Sequence, residues 1–125
     1  MKKSDVKVLL VEDDPWLAEL EMKTLGEAGF LVTHAPHAPS AIVKIDEIQP
    51  DVMILDVLLT GSTAFALLHE LQSYDDTGEL PIILCTNMAE SVKLEDVQSY
   101  GVKRIVDKTT MKPDDLVAAV RSVLA

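Results

Sequence analysis

Five short apolar runs recur along the chain, and each is separated from the next by a segment with helical periodicity. Several of the runs are nearly continuous rather than alternating, as expected of strands that are buried on both faces of a sheet. They cover residues 6–12, 30–35, 51–56, 81–86 and 103–108. Each run therefore predicts a short strand in the interior of an α/β protein.

The segments between the runs each carry one apolar stripe, which predicts a helix that packs on one side. In the first helix the stripe consists of Leu17, Leu20, Leu25 and Ala28. Gly29 marks the end of that helix, and Pro39 and Pro113 mark the starts of the second and the last. The fourth helix, predicted over residues 89–100, has the thinnest apolar face, so we expect it to be the most mobile element.

This order of one strand and one helix, repeated five times, predicts the topology. It favours a five-stranded parallel sheet with right-handed crossovers and helices on both faces, a doubly wound (βα)5 sandwich of the α/β class. The chain has 125 residues, about the size of one domain, and we predict a single domain over residues 1–125.

Charge and cysteine content narrow the function. With 11 basic and 21 acidic residues the formal net charge is −10. This negative field repels phosphate backbones and anionic membranes, so we expect no direct nucleic-acid binding and no membrane association. No apolar stretch approaches the roughly 20 residues of a membrane span. Cys85 is the single cysteine, which excludes an internal disulfide and favours a cytoplasmic location.

Chemically related residues follow the predicted strands at their carboxyl ends. The first strand ends in Glu12, Asp13 and Asp14, and Asp56, Thr86 and Lys108 close the third, fourth and fifth. In open α/β sheets the ligand site lies outside these ends, so we expect these side chains to share one edge. A single acid at such a position is most simply explained as a residue of a solvent-exposed loop. The coincidence at four strand ends favours a site.

The composition of this cluster points to phosphoryl chemistry. Crowded carboxylates repel one another, so that one takes up a proton or a cation lies among them. An all-oxygen set with few carboxylates suits Mg²⁺ better than Ca²⁺. A carboxylate beside a divalent cation and a lysine can attack phosphorus while the cations neutralise the phosphoryl oxygens. Asp56 is therefore the predicted nucleophile.

The segments VLLVEDD, PDVMILDVLLTG, PIILCT and VDK together make the sequence resemble the receiver domain of two-component response regulators, over essentially the whole chain. The resemblance implies the flavodoxin-like strand order 2-1-3-4-5. It also implies that Asp56 accepts a phosphoryl group from a histidine kinase or phosphotransfer protein in a phosphorelay. Such a domain is a signalling switch that catalyses only its own phosphorylation and dephosphorylation, rather than an enzyme with a separate substrate.

The same resemblance implies roles for the other residues of the cluster. Glu12, Asp13, Asp56 and the backbone carbonyl of Leu58 would hold Mg²⁺. The hydroxyl of Thr86 would bond a phosphoryl oxygen, and the ammonium of Lys108 would pair with Asp56 and then with its phosphate. Asp14 is interpreted as an acid at a helix N-terminus, where the helix dipole favours negative charge.

Two departures from the family pattern, Thr109 and Ile105, and two further positions, Leu58 and Met88, carry expectations of their own. Thr109 stands where the family has a proline joined by a cis bond. A cis bond before a non-proline residue costs about 3–4 kcal/mol, so we expect a trans linkage with an altered loop or a strained one. Ile105 replaces the usual Tyr or Phe, so switching would use the Thr86 shift and the fourth helix without an aromatic lever. In the family it resembles, the residues two beyond the phosphoacceptor and two beyond the threonine influence how water reaches the phosphate. Here they are Leu58 and Met88, which cannot orient that water, so we expect slow self-dephosphorylation.

Remaining polar and aromatic candidates are assigned no chemistry. The three histidines, His34, His37 and His69, lack metal-ligand spacing and are expected at the surface. Trp16 is expected to pack at the rim of the first helix, and Cys85 to be a small buried hydrophobe.

Two other functions compete with phosphoacceptance. A receiver-like domain that no longer takes phosphate and binds partners constitutively is the alternative. A haloacid-dehalogenase-type phosphatase is disfavoured because Leu58 stands where a second aspartate would be needed. The output is left open between a downstream protein target and a fused output domain.

Overall fold

The computed structural model describes residues 6–56, 63–72, 80–87 and 92–124. In this part of the chain strands and helices alternate as predicted. The strands are β1 Lys7–Val11, β2 Leu31–Ala35, β3 Val52–Asp56, β4 Ile82–Thr86 and β5 Val102–Asp107. The helices are α1 Pro15–Glu27, α2 Ala38–Ile48, α3 Thr63–Gln72, α4 Leu94–Val97 and α5 Pro113–Leu124, with a 3₁₀ turn over Gln98–Tyr100.

The strands form one sheet in the order β2-β1-β3-β4-β5, and every pair is parallel. This confirms the predicted fold class and strand order. All residues of β3 and β4 are buried. The complete burial explains why these segments are continuous apolar runs, since neither face of a central strand meets water.

Two hydrophobic clusters lie one on each side of the sheet. Because successive side chains of a strand point to opposite faces, the residues of β3 belong alternately to one cluster and the other. Met53 and Leu55 belong to the cluster that includes buried residues of α2 and α3. Val52 and Ile54 belong to the cluster that includes Ala18 and Leu25 of α1 and buried residues of α5. Asp56 continues the second row, so its side chain lies at the end of the α1 and α5 face.

The first helix begins and ends with residues suited to those positions. Asp14 is its N-cap, and its Oδ1 accepts hydrogen bonds from the backbone N–H groups of Trp16 at 2.9 Å and Leu17 at 3.3 Å. This agrees with the interpretation of Asp14 as an N-terminal helix acid. Gly29 follows the helix with φ of 100°, a backbone conformation that glycine adopts without strain.

The strands agree with the predicted runs to within one residue at either end, and the fourth helix is shorter than predicted. The fifth strand ends at Asp107 rather than residue 108, and the fourth helix, predicted over 89–100, is Leu94–Val97 followed by the 3₁₀ turn. Val97 is buried in this short helix while Leu94 is 39% exposed, so apolar packing holds little more than one turn. Its mobility stays a prediction. Within the described ranges no helix combines the length and apolar character that crossing a membrane requires.

Candidate functional site

The carboxyl ends of four neighbouring strands bring the predicted polar residues to one edge of the sheet. Glu12 directly follows β1, Asp56 and Thr86 are the last residues of β3 and β4, and Lys108 directly follows β5. Glu12, Asp56 and Thr86 are buried, with exposures of 2%, 2% and 0%. Burial of two acids is expensive unless they are paired, so the charges around them define the site.

Lys108 supplies the balancing charge. Its Nζ lies 2.8 Å from Oδ2 of Asp56 and 3.3 Å from Oε1 of Glu12. Burial lowers the pKa of the lysine, but the hydrogen bond and charge of Asp56 and the charge of Glu12 outweigh it and raise that pKa overall. Lys108 therefore stays protonated and holds one cation against two buried carboxyl groups.

The three predicted acids converge. Glu12, Asp13 and Asp56 each offer a carboxylate oxygen within 4.8 Å of the others, with Asp13 exposed and the other two buried. Burial, and then the hydrogen bond and charge of Asp56, raise the pKa of Glu12 to about 8. At neutral pH the pair thus retains a proton that a divalent cation would displace. This oxygen-only donor set fits a hard ion such as Mg²⁺.

His34 is a member of the site that the sequence prediction missed. Instead of lying at the surface, it is half-buried in β2, and its Nε2 is 2.7 Å from the backbone carbonyl oxygen of Glu12. The Glu12 N–H in turn donates to the carbonyl of Ala35 at 3.1 Å. The end of β2 therefore holds both backbone groups of Glu12. The available signal was the parallel register, which pairs His34 with Leu10, two residues before the acid.

The loop after Lys108 follows one of the two predicted alternatives. No cis peptide bond occurs among the residues described, so Lys108 and Thr109 are joined in trans. A carboxylate oxygen of Asp107 accepts hydrogen bonds from the Thr109 N–H at 2.9 Å and the Thr109 hydroxyl at 2.6 Å, and these bonds lower the pKa of Asp107. The N–H of Lys108 donates to the carbonyl of Thr86 at 2.8 Å. This turn replaces the proline of the family pattern.

Other predicted positions have mixed outcomes. Ile105 is half-buried and packs against the α2 and α3 cluster, while its role in switching stays a prediction. Leu58 and Met88 lie outside the described residues. The binding of Mg²⁺ by the Leu58 carbonyl and the slow loss of phosphate therefore stay predictions. Trp16 is 84% exposed, so the expected rim packing is wrong. Cys85 is buried as expected, and His37 and His69 are exposed.

The buried face of α1 differs from the predicted stripe. Its buried residues are Ala18, Glu21 and Leu25, whereas Leu20 is 54% exposed. Glu21 is 4% exposed, and neither carboxyl oxygen has a hydrogen-bond partner in the described part of the chain. Hydropathy placed the stripe on the leucines and missed this acid. Only the spacing of Ala18, Glu21 and Leu25 at three and four residues could have indicated it.

Comparison with known proteins agrees with this geometry. Residues 8–121 match the family model of the response regulator receiver domain. The DNA-binding response regulator MtrA of Mycolicibacterium smegmatis is 31% identical over 94% of this chain, and the phosphate regulon transcriptional regulatory protein PhoB of Rhizobium meliloti is 31% identical over 94%. The chain belongs to the receiver domains of two-component response regulators.

A solved structure supports the same assignment. The chemotaxis protein CheY4 of Vibrio cholerae is 25% identical with a TM-score of 0.81, and the match covers 94% of this chain and 98% of that one. By contrast, the chain spans 50% of MtrA and 52% of PhoB, about half the length of these relatives. That residues 1–125 form a single domain stays a prediction.

Proposed function

We propose that Asp56 accepts a phosphoryl group from the phosphohistidine of a histidine kinase or phosphotransfer protein. One observation carries the proposal: a buried carboxylate, Asp56, lies 2.8 Å from a lysine ammonium and within 4.8 Å of two further acids. This carboxylate is held in a fixed position and is surrounded by groups that can neutralise the charge of a phosphoryl group.

The residues divide the chemistry between them. An oxygen of Asp56 forms the new O–P bond while the N–P bond of the donor breaks and its electron pair stays on the histidine nitrogen. The Lys108 ammonium, now beside Oδ2 of Asp56, neutralises charge on a phosphoryl oxygen, and the Thr86 hydroxyl donates to another. Glu12, Asp13, Asp56 and the carbonyl of Leu58 would hold Mg²⁺, which supplies further neutralisation when bound.

Helix α1 of this domain offers an exposed apolar surface on which a phosphodonor protein could bind. Trp16 and Leu20 lie four residues apart on α1 and are 84% and 54% exposed. The helix begins at Pro15, two residues after the acid Asp13, so Trp16 lies close along the chain to the acids of the site and Leu20 lies one turn further on. Exposed tryptophan is a typical anchor of protein interfaces. We propose that the helix bearing the donor histidine packs on Trp16 and Leu20.

The effect of phosphorylation must be passed on by another domain or by another protein. Because MtrA is named as a DNA-binding response regulator and PhoB as a transcriptional regulatory protein, a fused output domain is one proposal and a separate protein target the other. A cytoplasmic location is proposed from the single unpaired thiol, Cys85, which suits a reducing compartment.

Intact mass spectrometry tests the proposal. The protein is incubated with Mg²⁺ and acetyl phosphate, and a gain of one phosphoryl group is expected. Asp56→Asn removes the acceptor and abolishes the gain, whereas Asp46→Asn, on the exposed side of α2, preserves it. A folded protein that gains no mass with acetyl phosphate or phosphoramidate would reject this function and leave constitutive partner binding, the alternative to which Ile105, Thr109 and Asn87 lend some support.

A further inference from the structure

Glu21 is a buried acid that the phosphoryl chemistry does not use. It lies on the α1 face between Ala18 and Leu25, and these two residues pack into the same cluster as Ile54 and Cys85. Ile54 precedes Asp56 in its row of β3, and Cys85 is the register partner of Asp56 on β4. Glu21 therefore faces the row of side chains that ends in the phosphoacceptor.

Its depth below the site follows from helix geometry. Glu21 is seven residues beyond the N-cap Asp14, which corresponds to about 10 Å along a helix with a rise of 1.5 Å per residue. Neither Glu21 oxygen has a hydrogen bond to a described residue, so Glu21 influences the site through its charge. In a medium of low dielectric constant, charges about 10 Å apart still influence each other.

The ionisable groups around Glu21 come from several elements. Burial raises its pKa to about 7, Lys108 lowers it, and the charges of Asp56 and Asp14 raise it. Cys85 faces it from β4, and its own pKa of about 12 keeps the thiol neutral. From β2 the titratable residue is His34, bonded to Glu12. The charged residues of α5, the other element packed on α1, are exposed: Asp114, Asp115 and Arg121.

We propose that Glu21 is a proton-binding site in the core that makes the phosphoacceptor site of this domain responsive to pH near neutrality. This rests on the proposed function of Asp56. Without a hydrogen-bond donor the carboxyl group is stable only when neutral, and ionisation places a negative charge under the acidic pocket. A cation bound above favours the ionised form, and the added negative charge of a phosphoryl group favours the neutral form.

Thermodynamic linkage between Mg²⁺ binding and proton binding at Glu21 determines how the Mg²⁺ affinity changes with pH. If Mg²⁺ promotes loss of the Glu21 proton, loss of that proton must strengthen Mg²⁺ binding by the same factor. Mg²⁺ affinity should therefore rise with pH through neutrality by more than the pocket acid Glu12 causes on its own. Couplings between sites are typically worth about fivefold or more.

Variants of α1 separate this contribution from that of the pocket. Glu21→Gln keeps the shape of the neutral acid and cannot ionise, and Glu19→Gln makes the same change at an exposed position of the helix. The Mg²⁺ dissociation constant of each is measured below and above neutrality by Trp16 fluorescence. We expect the affinity ratio between the two pH values to be about fivefold larger in the wild type and Glu19→Gln than in Glu21→Gln.

A second measurement observes the proton directly. The side-chain carboxyl carbon of Glu21 should titrate near neutrality in NMR, with a midpoint that falls on addition of Mg²⁺ and rises with a beryllofluoride phosphoryl mimic. Equal affinity ratios in the wild type and Glu21→Gln, or a midpoint that neither ligand moves, would overturn the proposal while leaving phosphoacceptance intact. Absence of Mg²⁺ binding at every pH would instead reject the proposed function, and this inference with it.

Discussion

Replacing Glu21 should change how the stability of the fold depends on pH. The folded-state pKa is raised from the ordinary value of 4.5 to about 7, chiefly by burial. An acid with a raised pKa contributes stability that is present in full below pH 4.5, declines from there and is absent above pH 7. At about 1.4 kcal/mol for each pH unit, the wild type loses about 3 kcal/mol over this interval.

Glu21→Gln lacks this loss because its amide does not ionise. We therefore expect wild type and Glu21→Gln to differ little at acidic pH, and the variant to gain about 3 kcal/mol on the wild type above pH 7. Urea unfolding monitored by circular dichroism at both pH values, without Mg²⁺, measures the difference.

Comparison between variants also removes the contribution of Glu12. Its pKa, raised to about 8 by burial and by Asp56, gives a loss of the same sign, but that loss is common to wild type and variant. Glu19→Gln on the exposed side of α1 should follow the wild type at every pH. A stability difference between wild type and Glu21→Gln that is constant with pH would show that Glu21 does not titrate in this range and would refute the reasoning.

Four further changes test other parts of the molecule. Asp14→Ala removes two N-cap hydrogen bonds of α1 and should cost about 1 kcal/mol in urea unfolding; an unchanged midpoint would contradict the cap. His34→Leu frees the Glu12 carbonyl and should weaken Mg²⁺ binding about tenfold by Trp16 fluorescence, whereas wild-type affinity would exclude a supporting role. Trp16→Ala should slow transfer from a phosphodonor protein about tenfold without slowing transfer from acetyl phosphate; equal slowing of both would argue against docking. Met88→Glu should speed loss of phosphate from Asp56, followed by intact mass, and an unchanged lifetime would remove the proposed basis of a persistent signal.

The sheet was predictable because its physics is local. A central parallel strand is buried on both faces, so β3 and β4 are continuous apolar runs that need no tertiary information to recognise. The site followed from the same topology, since parallel strands end at one edge. Glu12, Asp56 and Lys108 lie far apart in sequence and meet there.

What the sequence did not predict depends on packing between elements. Both Leu20 and Glu21 fit a helix, and only the position of α1 on the sheet buries the acid and exposes the leucine. His34 looks like a surface residue until the parallel register of β1 and β2 brings it to the Glu12 carbonyl. Hydropathy contains no information about such contacts, because it averages over one segment at a time.

The burial of Cys85 gives the domain an internal reporter. The lone thiol is 2% exposed, lies beside Asp56 in the sheet register, and has a pKa raised to about 12 by burial. A thiol in that state resists oxidants and alkylating reagents while the domain is closed. Its labelling rate therefore measures how often α1 and α5 separate from the sheet, and no engineered probe is needed to follow that opening.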